Sequence, residues 1–419
     1  INLMFVLYKF FTFFFYPIFI ILIYLRKFIN KEDKNRYKEK LFSSNFKVEI
    51  SNNKLIWFHA ASIGEAQSII PLIKQIIDVE KNIDILITTI SLTSSNLLNK
   101  EFKNNKHIKH RFFPLDVNFL IKKFLSEWKP TVAIFIDSEI WPNFLLEIKN
   151  KDIPLILLNG RITKKTYSRW VLISQLARKI FALFDLCLVA NNESEKNLKN
   201  LGAKNIKNFG NLKFASNNDL EGTNQKNKKF WCAISTHEGE DAFIVNTHLT
   251  LKKSNKNSVC IIIPRHINRS QQISNICRNK NLTVKILSSN EQIDENNDIV
   301  IINSYGLVPK YLKLCKSVFI GKSLIKKLES VGGQNPIEAA KFGCKIYHGP
   351  YVYNFKDIYQ QLNKYKISEE IKDEIDLSNK INFDLNNNDE NINQNAIQDI
   401  NNLGTKILEE TFKEVRKFF

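Results

Sequence analysis

Paired cysteines are missing from this chain: Cys187, Cys232, Cys260, Cys277, Cys315 and Cys344 are scattered and form no C-x-x-C pair. Several stand inside apolar runs, as in Leu186-Cys187-Leu188 and Val259-Cys260-Ile261, so they read as small buried hydrophobes in a reducing compartment. That argues against a disulfide framework and against a cysteine zinc site. A Walker motif and an internal repeat are also missing, which removes P-loop chemistry and solenoid architectures. The N-terminal segment lacks the basic start and small-residue cleavage site of a signal peptide, so an uncleaved segment is expected there. Acids are in short supply, with 42 Asp+Glu against 61 Lys+Arg, for a formal charge of +19. A basic surface suits nucleic acid, anionic lipid or phosphorylated substrates, although an AT-rich codon bias toward Lys, Asn and Ile accounts for it equally well. Because the cations are spread evenly and not interleaved with aromatics on one face, no nucleic-acid partner is expected.

The loudest feature present is the N-terminus. Phe10 to Leu25 is sixteen residues without a charge, roughly 24 Å as a helix and a little short of a bilayer core. Lys9 can snorkel, so residues 3–25 are long enough to span. Arg26, Lys27, Lys31, Lys34, Arg36 and Lys38 follow, and this asymmetry puts the bulk of the protein in the cytoplasm. Pro17 leaves open a second option, an interfacial helix that does not fully cross.

A length of 419 residues suggests two or three domains. Short apolar runs at 54–58, 83–90, 131–136, 154–158 and 186–189 alternate with amphipathic stretches such as 66–77 and 118–128, which indicates parallel βαβ units. A polar linker, 216–229, interrupts the pattern. It restarts with expected strands at 230–234, 259–263, 283–287, 299–302, 317–320 and 345–347. The Asp- and Asn-rich stretch 373–394 reads as a loop and 396–419 as a terminal helix. Two α/β halves of this kind hold ligands at the carboxyl ends of their strands, in a cleft between the halves.

The candidate residues lie at those strand ends. In His59-Ala60-Ala61-Ser62-Ile63-Gly64-Glu65, Gly64 allows a tight turn and Glu65 can take a proton from an attacking hydroxyl. Ser62-x-x-Glu65 is equally a capping box that does no chemistry, and the sequence leaves the two open. Asp137 and Glu139, in Asp137-Ser138-Glu139-Ile140-Trp141-Pro142-Asn143, can orient a sugar or a base, or complement a helix dipole. Asn159-Gly160-Arg161 follows the next strand. Lys213, in Gly210-Asn211-Leu212-Lys213-Phe214, can reach a phosphate. In the second half come Ser235-Thr236-His237-Glu238-Gly239-Glu240, then Pro264-Arg265-His266, where an arginine suits a phosphate clamp. Gly332-Gly333-Gln334-Asn335-Pro336-Ile337-Glu338 reads as a helix start, with Asn335 as N-cap, Pro336 at N1 and Glu338 at N3. Such a start favours a phosphate, and Glu338 can hold ribose hydroxyls or merely cap.

Taken together and in this order, these stretches resemble the bacterial 3-deoxy-D-manno-octulosonic acid (Kdo) transferases of lipid A biosynthesis, from the N-terminus to about Leu362. FPLD at 113–116, LNGRIT, LGA at 201–203, Arg269 and Asn354-Phe355 add to the resemblance. It implies an α/β GT-B fold, two Rossmann-like lobes facing a cleft, with an N-terminal membrane-anchor helix. The organisation it implies is an anchor at 1–27, an acceptor lobe at 28–215, a linker at 216–229, a CMP-Kdo donor lobe at 230–395 and a C-terminal helix at 396–419. It implies transfer of Kdo from CMP-Kdo to lipid IVA at the cytoplasmic face of the inner membrane, with inversion and with no cofactor or bound metal. Residue by residue, Glu65 matches the general base, and Asp137 and Lys213 match transition-state stabilisers. Pro264, Arg265, Tyr305, Gly306, Leu307, Asn335, Pro336, Ile337 and Glu338 match CMP contacts. Asp137 stands where the family has Glu, Leu307 where it has an acid, Gln334 for His and Lys322 for Gly. Two rivals remain: a GT-B enzyme using a UDP-sugar, and a membrane-tethered basic binding protein.

Overall fold

The computed structural model describes residues 3–47, 51–215, 229–288, 291–329, 332–387 and 390–419. It divides into two compact units, one of residues up to 216 together with Leu403–Phe419, the other Asn217–Asn402. The first is built on seven parallel strands, β1 Lys54–His59, β2 Ile83–Thr89, β3 Ile108–Phe112, β4 Val132–Ile136, β5 Leu155–Gly160, β6 Leu186–Val189 and β7 Ile206–Asn208, in the order β3-β2-β1-β4-β5-β6-β7. The second also has seven, β8 Phe230–Thr236, β9 Val259–Pro264, β10 Val284–Leu287, β11 Ile299–Ile302, β12 Ser317–Ile320, β13 Lys345–His348 and β14 Ser368–Glu370, in the order β10-β11-β9-β8-β12-β13-β14. Crossover helices cover the faces, so the central strands are buried on both sides and carry unbroken apolar runs such as Val132–Ile136 and Val259–Pro264. Each unit has its own core, around Trp57, Phe124, Phe135 and Phe144 in the first and around Trp231, Ile262 and Phe319 in the second.

These are the two Rossmann-like units expected. The differences lie at the margins. Three strands were not anticipated, β3, β7 and β14, and each is the edge of its sheet. An edge strand is half-solvated and needs no apolar run; β3 reads Ile-Lys-His-Arg-Phe. The expected loop at 373–394 is wrong for most of its length. Glu374–Asn386 is a helix, capped by Asp373, whose side chain accepts from the Asp376 N–H at 2.8 Å. Leu377, Ile381 and Leu385, spaced by four, are buried against the second core beneath the surrounding Asn and Asp. The expected terminal helix begins earlier, at Glu390, and runs to Val415. The expected linker lies outside the described residues except for Lys229.

The N-terminus also departs from the single helix expected. It is two helices, Leu3–Phe14 and Tyr16–Phe28, bent by 51°, and among the described residues no single helix is long and apolar enough to cross a membrane. Pro17 sits in the first turn of the second helix, where it cannot donate to the turn before and breaks the run. One side of the pair is fastened to the first unit. Tyr8 Oη donates to Asp116 Oδ2 at 2.8 Å, Lys9 Nζ lies 3.0 Å from Glu147 Oε1, and Asn143 Nδ2 donates to Thr12 Oγ1 at 3.0 Å. The other side leaves Phe10, Phe13, Phe14, Ile21, Leu25 and Phe28 exposed.

Candidate active site

In the first sheet the chain runs outward from β1 to β3 and then crosses back to β4 on the other side, so β1 and β4 are the pair where strand order reverses. Their carboxyl ends are where an open α/β sheet offers a crevice. Glu65 and Asp137 both stand there. After β1 the chain turns at Ser62, whose extended backbone and side chain cap the helix Ile63–Val79. Gly64 takes no part in the turn: it lies inside the helix, and a Cβ there would meet nothing within 4 Å. The capping reading of Ser62-x-x-Glu65 is realised: Ser62 Oγ accepts from the Glu65 N–H at 3.3 Å and donates to Glu65 Oε1 at 2.7 Å, while the Ala61 N–H donates to Oε2 at 2.8 Å.

The cap does not exhaust the carboxylate. Burial, then the negative charge of Asp137, pushes the Glu65 carboxyl up to about 7, against the pull of its own hydrogen bonds. Glu139 adds a smaller push. Helix cap and proton acceptor near neutral pH are therefore compatible roles of one residue.

Asp137 takes a left-handed backbone, φ 53°, immediately after β4. Its Oδ2 is 3.1 Å from Lys213 Nζ, and its Oδ1 accepts from Asn159 Nδ2 at 2.6 Å. Asn159, near the end of the neighbouring strand β5, is also left-handed, φ 55°, and its Oδ1 accepts from the Leu212 N–H at 2.8 Å. Lys213 follows in the turn Leu212–Ala215. Glu65, Asp137 and Lys213 are thus brought together in one unit, with Asn159 as a connector whose role the motif did not disclose. Two other motif residues turn out structural. Asp116 accepts from Tyr8 and from the Asn143 and Phe144 N–H groups, starting the helix Pro142–Lys149. His59 is buried, its ring stacked on Phe113 with centroids 3.6 Å apart, and burial lowers its proton affinity.

In the second unit the candidate residues again share the carboxyl-terminal edge of a parallel sheet. Arg265 follows β9, its N–H donating to the Thr236 carbonyl at the end of β8 at 3.1 Å. Its side chain is exposed, and its charge disfavours that of half-buried Lys322, after β12 on the other side of β8, although burial is the larger cause. Lys322 has φ 62°, a conformation that suits glycine. The residue that organises this edge is Glu240. Fully buried, its carboxylate accepts from the backbone N–H groups of His237 (2.9 Å), Lys322 (2.7 Å), Ser323 (2.8 Å) and Leu324 (3.0 Å). The fixed offset of Glu240 after β8 was the available signal, but backbone donors from a loop some eighty residues away are invisible in sequence.

The expected helix start at Asn335 is displaced by one residue. The short helix is Ile337–Lys341, with Pro336 at the cap position and Glu338 second; Asn335 Oδ1 accepts from the Ile337 N–H at 3.2 Å. Gly333, φ 90°, leads into it, and a Cβ there would come within 3.0 Å of Val352 Cα. Glu338 is held above the usual carboxylate range by burial. Tyr305, exposed, with Gly306 and Leu307, follows β11, two strands from β8, and is linked to the rest by strand order alone.

Known proteins are similar to this chain in sequence and in fold. Residues 35–216 match the family described as 3-Deoxy-D-manno-octulosonic-acid transferase (kdotransferase). A 3-deoxy-D-manno-octulosonic acid transferase of Rickettsia bellii is 30% identical over 427 residues, covering 99% of each chain. Among solved structures, a glycosyltransferase from Rickettsia africae superposes with a TM-score of 0.58 at 13% identity, covering 88% of this chain and 99% of that one. A UDP-GlcNAc 2-epimerase from Methanocaldococcus jannaschii superposes with a TM-score of 0.52 at 13% identity, covering 81% and 94%. At those identities the two structures establish the shared fold, two Rossmann-like units of the GT-B kind.

Proposed function

The chain belongs to the 3-deoxy-D-manno-octulosonic acid transferase family, and from that premise we propose that it transfers Kdo from CMP-Kdo to lipid IVA. The observation that carries the chemistry is Glu65, a buried carboxylate poised near neutral pH beside the Asp137–Lys213 pair. Glu65 takes the proton of the acceptor hydroxyl as that oxygen attacks the anomeric carbon of Kdo. The bond from that carbon to the phosphate oxygen breaks, with inversion, and CMP leaves as a phosphate monoester. Lys213, ion-paired with Asp137, is assigned to stabilising the transition state. In the second unit Pro264 and Arg265, Tyr305, Gly306 and Leu307, and Asn335, Pro336, Ile337 and Glu338 are assigned to CMP, with Arg265 on the phosphate and Glu338 on the ribose. A monoester leaving group needs no divalent ion to bridge phosphates, so turnover is expected to survive EDTA; loss with EDTA and rescue by magnesium would contradict this.

The acceptor is an acylated, phosphorylated disaccharide in a bilayer. The exposed apolar side of the two N-terminal helices, followed by Arg26, Lys27 and Lys31, suits an interfacial seat on an anionic leaflet and supports a place at the cytoplasmic face of the inner membrane. The test is incubation with CMP-Kdo and lipid IVA, with the product weighed by mass spectrometry. A gain of one or more Kdo masses with release of CMP supports the reading. Release of UDP from a UDP-sugar, or no transfer from CMP-Kdo, would overturn it.

A further inference from the structure

Asn159 holds two separate parts of the first unit in one relation. It is buried, at 2% exposure. The Leu212 N–H can only donate, so the oxygen of the Asn159 amide must face it, at 2.8 Å. The amide nitrogen is then necessarily the group facing Asp137 Oδ1, at 2.6 Å. Both Asp137 and Asn159 adopt left-handed backbones at the ends of adjacent strands, which sets these two side chains toward each other at a local cost. The Arg161 N–H donates to the Asp137 carbonyl at 3.0 Å, closing the strand-end connection.

We propose that Asn159 is the positioning residue of this site: it fixes the direction of the Asp137 carboxylate between Lys213 and Glu65, and ties the turn that carries Lys213 to the end of β5. The proposal rests on Glu65 being the base of the transfer reaction. Without the amide donor the Asp137 carboxylate is held by Lys213 on one oxygen only, and the Lys213 turn loses its hydrogen bond to the end of β5. The charged and titratable groups around Glu65 are Asp137 and Glu139 following β4, His59 at the end of β1 beside Glu139, and Lys213 beyond Asp137.

Asn159→Asp separates positioning from simple structure. It keeps an oxygen for the Leu212 N–H, so a residue that only holds the turn would tolerate it. It also replaces the donor to Asp137 by an acceptor. The new carboxylate places a second negative charge beside Asp137, and that added charge raises the proton affinity of Glu65. The expected result is a fall in kcat at pH 7 of at least tenfold, with the acid limb of kcat/KM steeper and displaced upward by about one pH unit or more. The Kd for CMP, read by calorimetry on the full chain, is expected to be unchanged, and the melting temperature reports folding of the first unit. Titration of the Glu65 carboxyl by NMR, with no substrate, is expected to show the same upward displacement. Should Asn159→Asp not fold, Asn159→Gly fits the left-handed backbone and adds no charge; it is expected to lose at least tenfold in kcat. Wild-type kcat and pH profile in Asn159→Asp, or a kcat within twofold in Asn159→Gly, would overturn the proposal. An inactive wild-type enzyme would instead overturn the transfer reading, and the NMR titration would still judge Asn159.

Discussion

At the scale of single residues, Glu65 makes two predictions of different kinds. As a base, its replacement by Gln is expected to lower turnover by about 10²–10⁴ with CMP affinity retained; wild-type turnover would leave it as a helix cap only. The second prediction concerns stability. The folded carboxyl, at about 7, lies above its ordinary value of 4.5, so the native state holds this proton more tightly than the unfolded chain does. The cost of ionising it inside the fold is absent below pH 4.5, grows between 4.5 and 7, and is full above 7, reaching roughly 3 kcal/mol. Glu65→Gln never pays that cost, so its stability advantage over wild type is expected to rise across that window in denaturant titrations. A difference that is flat with pH would remove the assigned perturbation. Lys322 gives a third prediction. Glycine relieves its positive φ but adds entropy to the unfolded chain, terms of about 1 kcal/mol each that oppose one another. Lys322→Gly is therefore expected to keep its melting temperature while CMP binding, measured by calorimetry, weakens several-fold for want of a cation near Arg265.

The secondary-structure elements show where sequence reasoning is strong and where it stops. Strands buried on both faces, such as Val132–Ile136 and Ser317–Ile320, carry their own signature and were placed to within a residue. The edge strands β3, β7 and β14 and the helix Glu374–Asn386 were missed because half of each faces water and its polar residues mask the spacing of the buried ones. The strand ends bearing Glu65, Asp137 and Arg265 were legible because chemistry concentrates where strand meets loop. Glu240 and Asn159 were not, since their partners, Leu324 and Leu212, come from distant turns. The N-terminal helices illustrate the same limit: composition suggested a tether, whereas Tyr8, Lys9 and Thr12 bind Asp116, Glu147 and Asn143 of the first unit. Deleting residues 1–25 is therefore expected to lower the melting temperature, because it uncovers Asp116 and leaves those partners unmatched. Tyr8→Phe alone is expected to cost about 1–2 kcal/mol, checked by chemical denaturation. A truncated chain as stable as the full one would return these helices to the role of a detachable tether.

At the scale of the whole molecule, the fold, the family and the proposed chemistry rest on different supports. The parallel sheets explain why the candidate residues lie at carboxyl-terminal strand edges. The outward apolar face and the basic segment after it predict membrane behaviour. Replacing Phe10, Phe14 and Ile21 by Ser is expected to keep the melting temperature but reduce co-flotation with anionic vesicles, and added salt is expected to weaken flotation of the wild type. Unchanged flotation would assign membrane contact elsewhere. The most direct measurement of the central claim is the pH dependence of kcat/KM for Kdo transfer from CMP-Kdo to lipid IVA, in the wild type and in Asp137→Asn. An acid limb near pH 7 in the wild type, moved to lower pH when the Asp137 charge is removed, is the predicted result. A rate that does not fall from pH 8 to pH 5, or a limb that stays in place in Asp137→Asn, would contradict Glu65 as the base of this enzyme.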